Sequence, residues 1–455
     1  MSVYVIEGYS RYNINEYSKL FFKGEERAHT YMGSGLRFMI LLSVLAVALM
    51  SVVLHVPGWV ERLFHSGTDA VAQSHLHYCL LVMFVLACVH SIVKYLAYAV
   101  LPYGKVYIPE RFGAVYAILE ALLWLFAAMR LLSLFWVFFV YAAVLILVSL
   151  IFLRSMVKKY DFYQSIFRNG SLKEGVGQAK RSLSMVVNNF CEKFTVDGLN
   201  VIVSAFYSAF LVPVYAAKRT MSNLMVTGTN MMVATFTIEY QKHSVNKDGK
   251  SLFNLFNATW LLVGIIVNYG IVVFYSFLPD IFRIWTRGKL QMDISLFNYL
   301  LATGVFVVYG TNIVTYLKAL NKVRLVFIVA VSRAILLLSL IMILPKKLEN
   351  IGLSLLVTEW TVNIILLNVI LYRELVAFHC EDIARKMFWN ILPFLLTAGY
   401  LLTHAFFPLE PYLKMTITLV ILTVVYYLQI MRVDNEALIV RLQVLKYRLT
   451  GGKRK

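Results

Sequence analysis

Four cations, Lys94, Lys218, Arg219 and Arg333, and four carboxylates, Glu120, Glu192, Asp197 and Glu359, lie inside long apolar runs of the chain. A charge at the depth of a membrane span costs about 2.5–3.5 kcal/mol, so each needs a partner or a water-filled cavity. Cations in such a cavity can meet an anionic group on a ligand. Carboxylates there can carry a proton or a sodium ion through a coupling cycle. Each residue also has a plainer reading. Lys218 and Arg219 follow Pro213, whose ring kinks a helix, and long side chains near a span end snorkel to the interface. Lys94 stands four residues after His90 on one helical face and can pair with Glu120. Arg333 can be neutralised by a neighbour such as Glu359, and Asp197 by Lys193 one turn earlier. The four cysteines, Cys79, Cys88, Cys191 and Cys380, stand singly, with neither metal-ligand spacing nor a disulfide pattern.

The elements that hold these residues are read from composition and run length. The chain has 455 residues, 60% hydrophobic and 15% charged, with a mean hydropathy of +0.72. A soluble domain could not hide so much apolar surface, whereas a chain solvated by a bilayer need not. Continuous apolar runs long enough to cross about 30 Å of hydrocarbon recur at 37–57, 77–101, 111–129, 132–153, 182–205, 208–238, 253–278, 294–317, 323–344, 350–372, 388–406 and 412–431. The expected fold is therefore all-α, a polytopic transmembrane helical bundle of about twelve spans. The runs lack the alternation a barrel strand requires.

The formal charge of +19 does not point to nucleic acid, because Lys and Arg concentrate in short loops between the runs. With twelve spans, the side holding both termini carries thirty basic residues and the opposite side eight, so both termini are expected in the cytoplasm. The first residues lack the basic and apolar regions of a signal peptide. No loop is long enough for a folded catalytic domain, which argues against an enzyme. Residues 432–455 read as a basic amphipathic tail on the anionic inner leaflet.

The sequence also aligns with itself at an offset near 222. INEY ending at Tyr17 matches TIEY ending at Tyr240. PGWVERLFHSG from Pro57 matches LPDIFRIWTRG from Leu278, and IVKYL from Ile92 matches IVTYL from Ile313. Each match falls at the same place relative to the runs, so a parallel repeat of two helical lobes is expected, a common transporter plan. The expected organisation is an N-terminal lobe of four spans over 1–153, a cytoplasmic linker over 154–181, and a six-helix lobe over 182–375. Two additional spans over 376–431 and the tail follow.

Three segments carry a family resemblance: NEYSKLFFKGEERAHTYMGSGLRF from Asn15, FTVDGLNVIVSAFYSAFLVPVYAAKRTMSNL from Phe194, and YLKALNKVRLVFIVAVSRAILLLSLIMILPKKLENIGLSLL from Tyr316. Together they resemble the polysaccharide-exporter branch of the multidrug/oligosaccharidyl-lipid/polysaccharide (MOP) flippase superfamily, over about Ile14 to Glu374. The resemblance implies a MATE-like flippase fold in which this chain matches the third to fourteenth helices and lacks the first two. It implies flipping of a polyprenyl-diphosphate-linked oligosaccharide across the bacterial inner membrane by alternating access, for O-antigen or other surface polysaccharide (lipopolysaccharide) biosynthesis. Lys94, Lys218, Arg219 and Arg333 would then bind the substrate. Asp197, Glu120 and Glu359 would couple transport to protons or sodium, with no other cofactor. Partners would be the lipid-linked oligosaccharide, membrane lipids, and polysaccharide polymerase and glycosyltransferases. Alternatives are a membrane-embedded O-antigen polymerase or ligase, which would be expected to have a large external loop this chain lacks, and a multidrug exporter of the same fold. The usual cationic substrates of such exporters match a basic cavity poorly.

Overall fold

Four tyrosines that the repeat pairs, Tyr17 with Tyr240 and Tyr95 with Tyr316, are all fully buried in the computed structural model of the chain. The structure describes residues 2–56, 70–105, 107–129, 134–193, 198–206, 211–290, 294–345, 347–380, 382–403 and 411–432. Among them every regular element is helical, and eight helices are long and apolar enough to cross a membrane. The chain is a multi-pass membrane protein. The runs at 111–129, 182–205, 208–238 and 388–406 are not among those eight.

The chain divides into two units, 1–190 and 191–455. The first begins with α1 (Ser2–Phe22), α2 (Ala28–Leu54) and α3 (Ala70–Ala97), the last continuing as a 3-10 turn over Tyr98–Tyr103. Then come α4 (Tyr107–Ala128), α5 (Leu134–Lys159), α6 (Phe162–Arg168) and α7 (Leu172–Lys193). The stretch expected as a linker, 154–181, is therefore largely helical. It is also pinned. Gln178 on α7 donates to the Tyr31 carbonyl at 2.9 Å and accepts from the Tyr9 hydroxyl at 3.1 Å. On α6, the Tyr163 hydroxyl donates to the Leu96 carbonyl at 2.8 Å. Such bonds satisfy polar groups that burial would otherwise penalise. On α2, neighbouring groups approach so closely that a Cβ at Gly33 would overlap the Asn169 carbonyl and one at Gly35 the Tyr95 hydroxyl. A linker reading missed α7 because its buried face is mostly small or polar: Gly175, Gln178, Ser182 and Asn188 are buried with Met185, while Leu172, Val176, Leu183 and Phe190 are exposed.

The second unit contains α8 (Leu199–Phe206), α9 (Leu211–Ala234), α10 (Thr237–Val245) and α11 (Gly249–Phe274), with a 3-10 turn at Tyr275–Phe277. Next are α12 (Leu278–Trp285), α13 (Ile294–Ala319), α14 (Val323–Ile343) and α15 (Leu348–Glu359). A π-helical turn over Trp360–Leu366 joins α15 to α16 (Leu367–Val376), and α17 (Ile383–Thr403) and α18 (Pro411–Arg432) close the unit. Helix α13 is its axis, packed by α9, α11, α15 and α17 and buried along most of its length. That burial explains why α13 has no apolar stripe: a helix enclosed on all sides is apolar all round.

The last two helices, outside the repeat, dock through buried amides. Asn390 on α17 donates to Asn257 on α11 at 2.7 Å and accepts from Gln429 on α18 at 2.6 Å. Asn268 on α11 donates to the Tyr426 hydroxyl at 2.8 Å. In a bilayer the hydrophobic effect does not drive helices together, so bonds and close packing of this kind carry the association. The tyrosines of the repeated motifs are held in each unit. Tyr17 bonds the Ala99 carbonyl at 3.2 Å, just beyond Tyr95. Tyr240 packs its ring 5.8 Å from that of Tyr316 and donates to Asn312.

Candidate functional site

Tyr215 on α9, Leu337 on α14 and Leu355 on α15 pack in one buried cluster of the second unit. One helical turn from these residues, on the same three helices, stand Arg219, Arg333 and Glu359. Arg333 Nε lies 3.1 Å from the Glu359 carboxylate, with the two side chains only 12% and 8% exposed. A second guanidinium nitrogen donates to Asn363 Oδ1 at 3.3 Å, and the Asn363 amide donates to Glu359 at 2.6 Å. Each member of the triad thus bonds the other two, which is the condition under which a buried ion pair is tolerated.

The π-turn positions this triad. Its extra residue per turn leaves backbone carbonyls offset from the α-helical ladder. Asn368 answers two of them, donating to the carbonyls of Ile364 at 2.7 Å and Asn363 at 3.4 Å. Asn368 also accepts from the Tyr309 hydroxyl at 2.6 Å. Tyr309 stacks on Trp260 at 5.1 Å, and the Trp260 indole donates to the Tyr309 carbonyl at 3.0 Å. A polar line therefore runs from Arg333 through Asn363 and Asn368 to α13 and α11. Gly310 lets it pass, because any Cβ there would overlap the Asn363 side chain.

On α9, Lys218 is fully buried, whereas Arg219 is half-buried and donates to the Tyr215 hydroxyl one turn back. Its guanidinium centre sits 5.7 Å from the Tyr215 ring centroid, a cation–π distance. Glu192 pairs with Lys318 at 2.6 Å. The structure therefore brings Lys218, Arg219, Arg333 and Glu359 into one unit and joins Arg333 directly to Glu359.

Lys94 and Glu120 belong to the first unit. Lys94 is exposed on α3, and no ion pair joins it to Glu120. Four residues before Lys94, His90 packs its ring against Tyr116 at 4.2 Å and Phe112 at 5.7 Å. Glu120 is half-buried on α4, beside Tyr141 of α5. Asp197 lies outside the described residues, as does the basic tail beyond Arg432. All four cysteines are free, and no group of metal-ligating side chains forms among the described residues. Sequence reasoning overlooked Asn363 and Asn368. The available signal was Asn363 four residues after Glu359, where one helical face repeats.

No protein-family model matches the chain, and no curated protein matches it. Solved structures do. A MATE in complex with MaD3S superposes with a TM-score of 0.66 at 12% identity, over 83% of this chain and 86% of that one. An outward-facing multidrug resistance MATE family transporter of the MOP superfamily gives 0.65 at 12%, over the same shares. So does a MOP superfamily transporter from Pyrococcus furiosus, described by a binding pocket of reverse polarity that suggests a different function, at 0.65 and 12%. At such identity the likeness is one of fold: the chain has the fold of the MATE transporters.

Proposed function

We propose that this protein is a membrane transporter that flips an anionic, polyprenyl-diphosphate-linked oligosaccharide across the bacterial inner membrane by alternating access, with both termini in the cytoplasm. The carrying observation is that the second unit holds three cations, Lys218, Arg219 and Arg333, within its helices, Lys218 fully buried and Arg333 paired with Glu359. Cations held at the depth of the spans suit a diphosphate and repel a cationic drug. A transporter of the same fold from Pyrococcus furiosus, described as having a pocket of reverse polarity, is a precedent for the fold with altered pocket charge. Lys94 joins the substrate-binding set, and Glu359, Glu120 and Asp197 form the coupling set for protons or sodium. The protein works beside glycosyltransferases that build the glycan and a polymerase that extends it.

The test is deletion of the gene, followed by assay of its lipid-linked glycan on each leaflet. Accumulation on the cytoplasmic leaflet, reversed by the wild-type gene but not by K218A/R219Q, is the expected result. Normal translocation with unpolymerised repeats would instead identify a polymerase. Normal glycan with increased sensitivity to cationic drugs would identify a multidrug exporter, the reading that the fold accommodates equally well.

A further inference from the structure

The repeated motif LPDIFRIWTRG has no part in the site above, yet it builds a distinct surface. Helix α12 turns Phe282 inward, 1% exposed, while Phe277, Ile281, Ile284 and Trp285 remain exposed, Ile284 at 78%. Beyond Trp285 the Gly288 amide bonds the Arg283 carbonyl at 2.8 Å and the Arg287 amide bonds that of Ile284 at 3.1 Å. This closure uses left-handed backbone at both Arg287 and Gly288, the geometry of a Schellman cap. It folds the chain back so that Arg283, Ile284 and Arg287 line one open groove of about 480 Å³, with Asp280 and Gly288 completing it. Lys289 is exposed beside them.

Two features distinguish this groove from ordinary loop surface. Its apolar residues form a stripe next to its cations, the pattern of a helix that lies in a membrane interface. The motif also recurs in the first half of the sequence, where Arg62, Leu63, Phe64 and Gly67 occupy the places of Arg283, Ile284, Trp285 and Gly288. Residues 57–69 lie outside the described set, so this second occurrence is one of sequence. By the charge count of the loops, Arg283, Arg287 and Lys289 lie on the side poor in basic residues, where a basic cluster works against the orientation signal. The first copy shares only Arg62, with Ser66 in the place of Arg287, so the cluster belongs to α12, where it calls for a ligand of opposite charge.

We propose that α12 is a lipid-headgroup site. Ile284 and Trp285 enter the hydrocarbon, and Arg283 and Arg287 clamp the phosphodiester of an anionic phospholipid of the phosphatidylglycerol class in the non-cytoplasmic leaflet. The paired guanidiniums supply charge-assisted bonds to the phosphate oxygens, and Asp280 leaves the groove with a net positive charge. This site rests on the membrane orientation proposed above and not on the identity of the transported substrate.

Native mass spectrometry of the purified full-length protein tests it, with phosphatidylglycerol or phosphatidylcholine added to the detergent. The variants are R283Q/R287Q and a control, K173Q/K180Q, which removes two exposed cations from α7. Wild type and control are expected to retain phosphatidylglycerol, and R283Q/R287Q to bind it roughly 10- to 30-fold more weakly, given about 1 kcal/mol per basic residue at a charged surface. The wild-type preference for phosphatidylglycerol should also shrink in 0.5 M salt, a measurement that needs no variant. Equal retention by R283Q/R287Q and wild type, or a preference unmoved by salt, would overturn the proposal. So would displacement of the lipid by equimolar glycerol 3-phosphate, because the groove would then read a soluble phosphate and not a leaflet.

Discussion

Arg333 on α14 and Glu359 at the end of α15 meet at 3.1 Å, and Asn363 in the π-turn bonds both. The pair is nearly withdrawn from its surroundings, so its energetics are those of a buried ion pair and not of a surface one. Removing one partner leaves the other charge uncompensated, which costs about 3–5 kcal/mol. R333M and E359M are each expected to lower the midpoint of thermal unfolding in detergent sharply. R333M/E359M should recover much of the loss, since replacing both charges by apolar groups is often neutral. Additive losses in the double variant would show that the two side chains are not coupled.

Gly310 is required by the same triad. G310A drives a methyl group into Asn363, and overpacking of this kind costs about 1–3 kcal/mol. The expected consequence is a destabilisation that N363A relieves when combined with G310A. If G310A unfolds at the wild-type midpoint, the close approach of α13 to the π-turn is wrong.

The amide ladder Asn257–Asn390–Gln429 holds the last two helices to α11. N390L strands a buried acceptor on Asn257 and a buried donor on Gln429, each costing about 1–3 kcal/mol. Because the ladder belongs only to α11, α17 and α18, amide exchange should quicken in α17 and α18 first. Uniform quickening over the whole second unit would contradict that assignment.

Asp248 caps the N-terminus of α11, accepting from the Ser251 amide at 3.0 Å. Hydrogen bonding to Ser251 holds its carboxyl below the ordinary value of 3.8. With the folded value depressed, the contribution is fully present above the unfolded value and disappears as pH falls through the folded one. Replacing the cap by D248A should cost about 1 kcal/mol at neutral pH. Wild type and D248A should converge as pH falls below about 4. Amide exchange in the first turn of α11 reads both effects, and a difference unchanged at low pH would remove the cap from the account.

The helical class, most of the spans, the repeated motifs and the presence of charges within apolar runs were all legible in the residues. Run length reports a helix that crosses about 30 Å of hydrocarbon, and a charge inside such a run is conspicuous whatever its surroundings. The repeat was legible because Tyr17, Tyr95, Tyr240 and Tyr316 each fill a closed space that tolerates little change in volume. The pairing of Arg333 with Glu359 was open to conjecture, because both residues stand near the middle of neighbouring runs.

Which way each residue faces was not legible. In water, apolar periodicity separates core from surface. In a bilayer both lipid and core accept apolar residues, so a helix such as α13 or α14 carries no stripe to mark its inner face. Only the packed structure therefore separates Lys218, wholly buried, from Lys94, exposed at an equally apolar position. It alone turns the polar side of α7 inward, where Gln178 finds Tyr9 and Tyr31. The π-turn is likewise a tertiary outcome: its displaced carbonyls are tolerable because Asn368 reaches them and Tyr309 holds Asn368 in place.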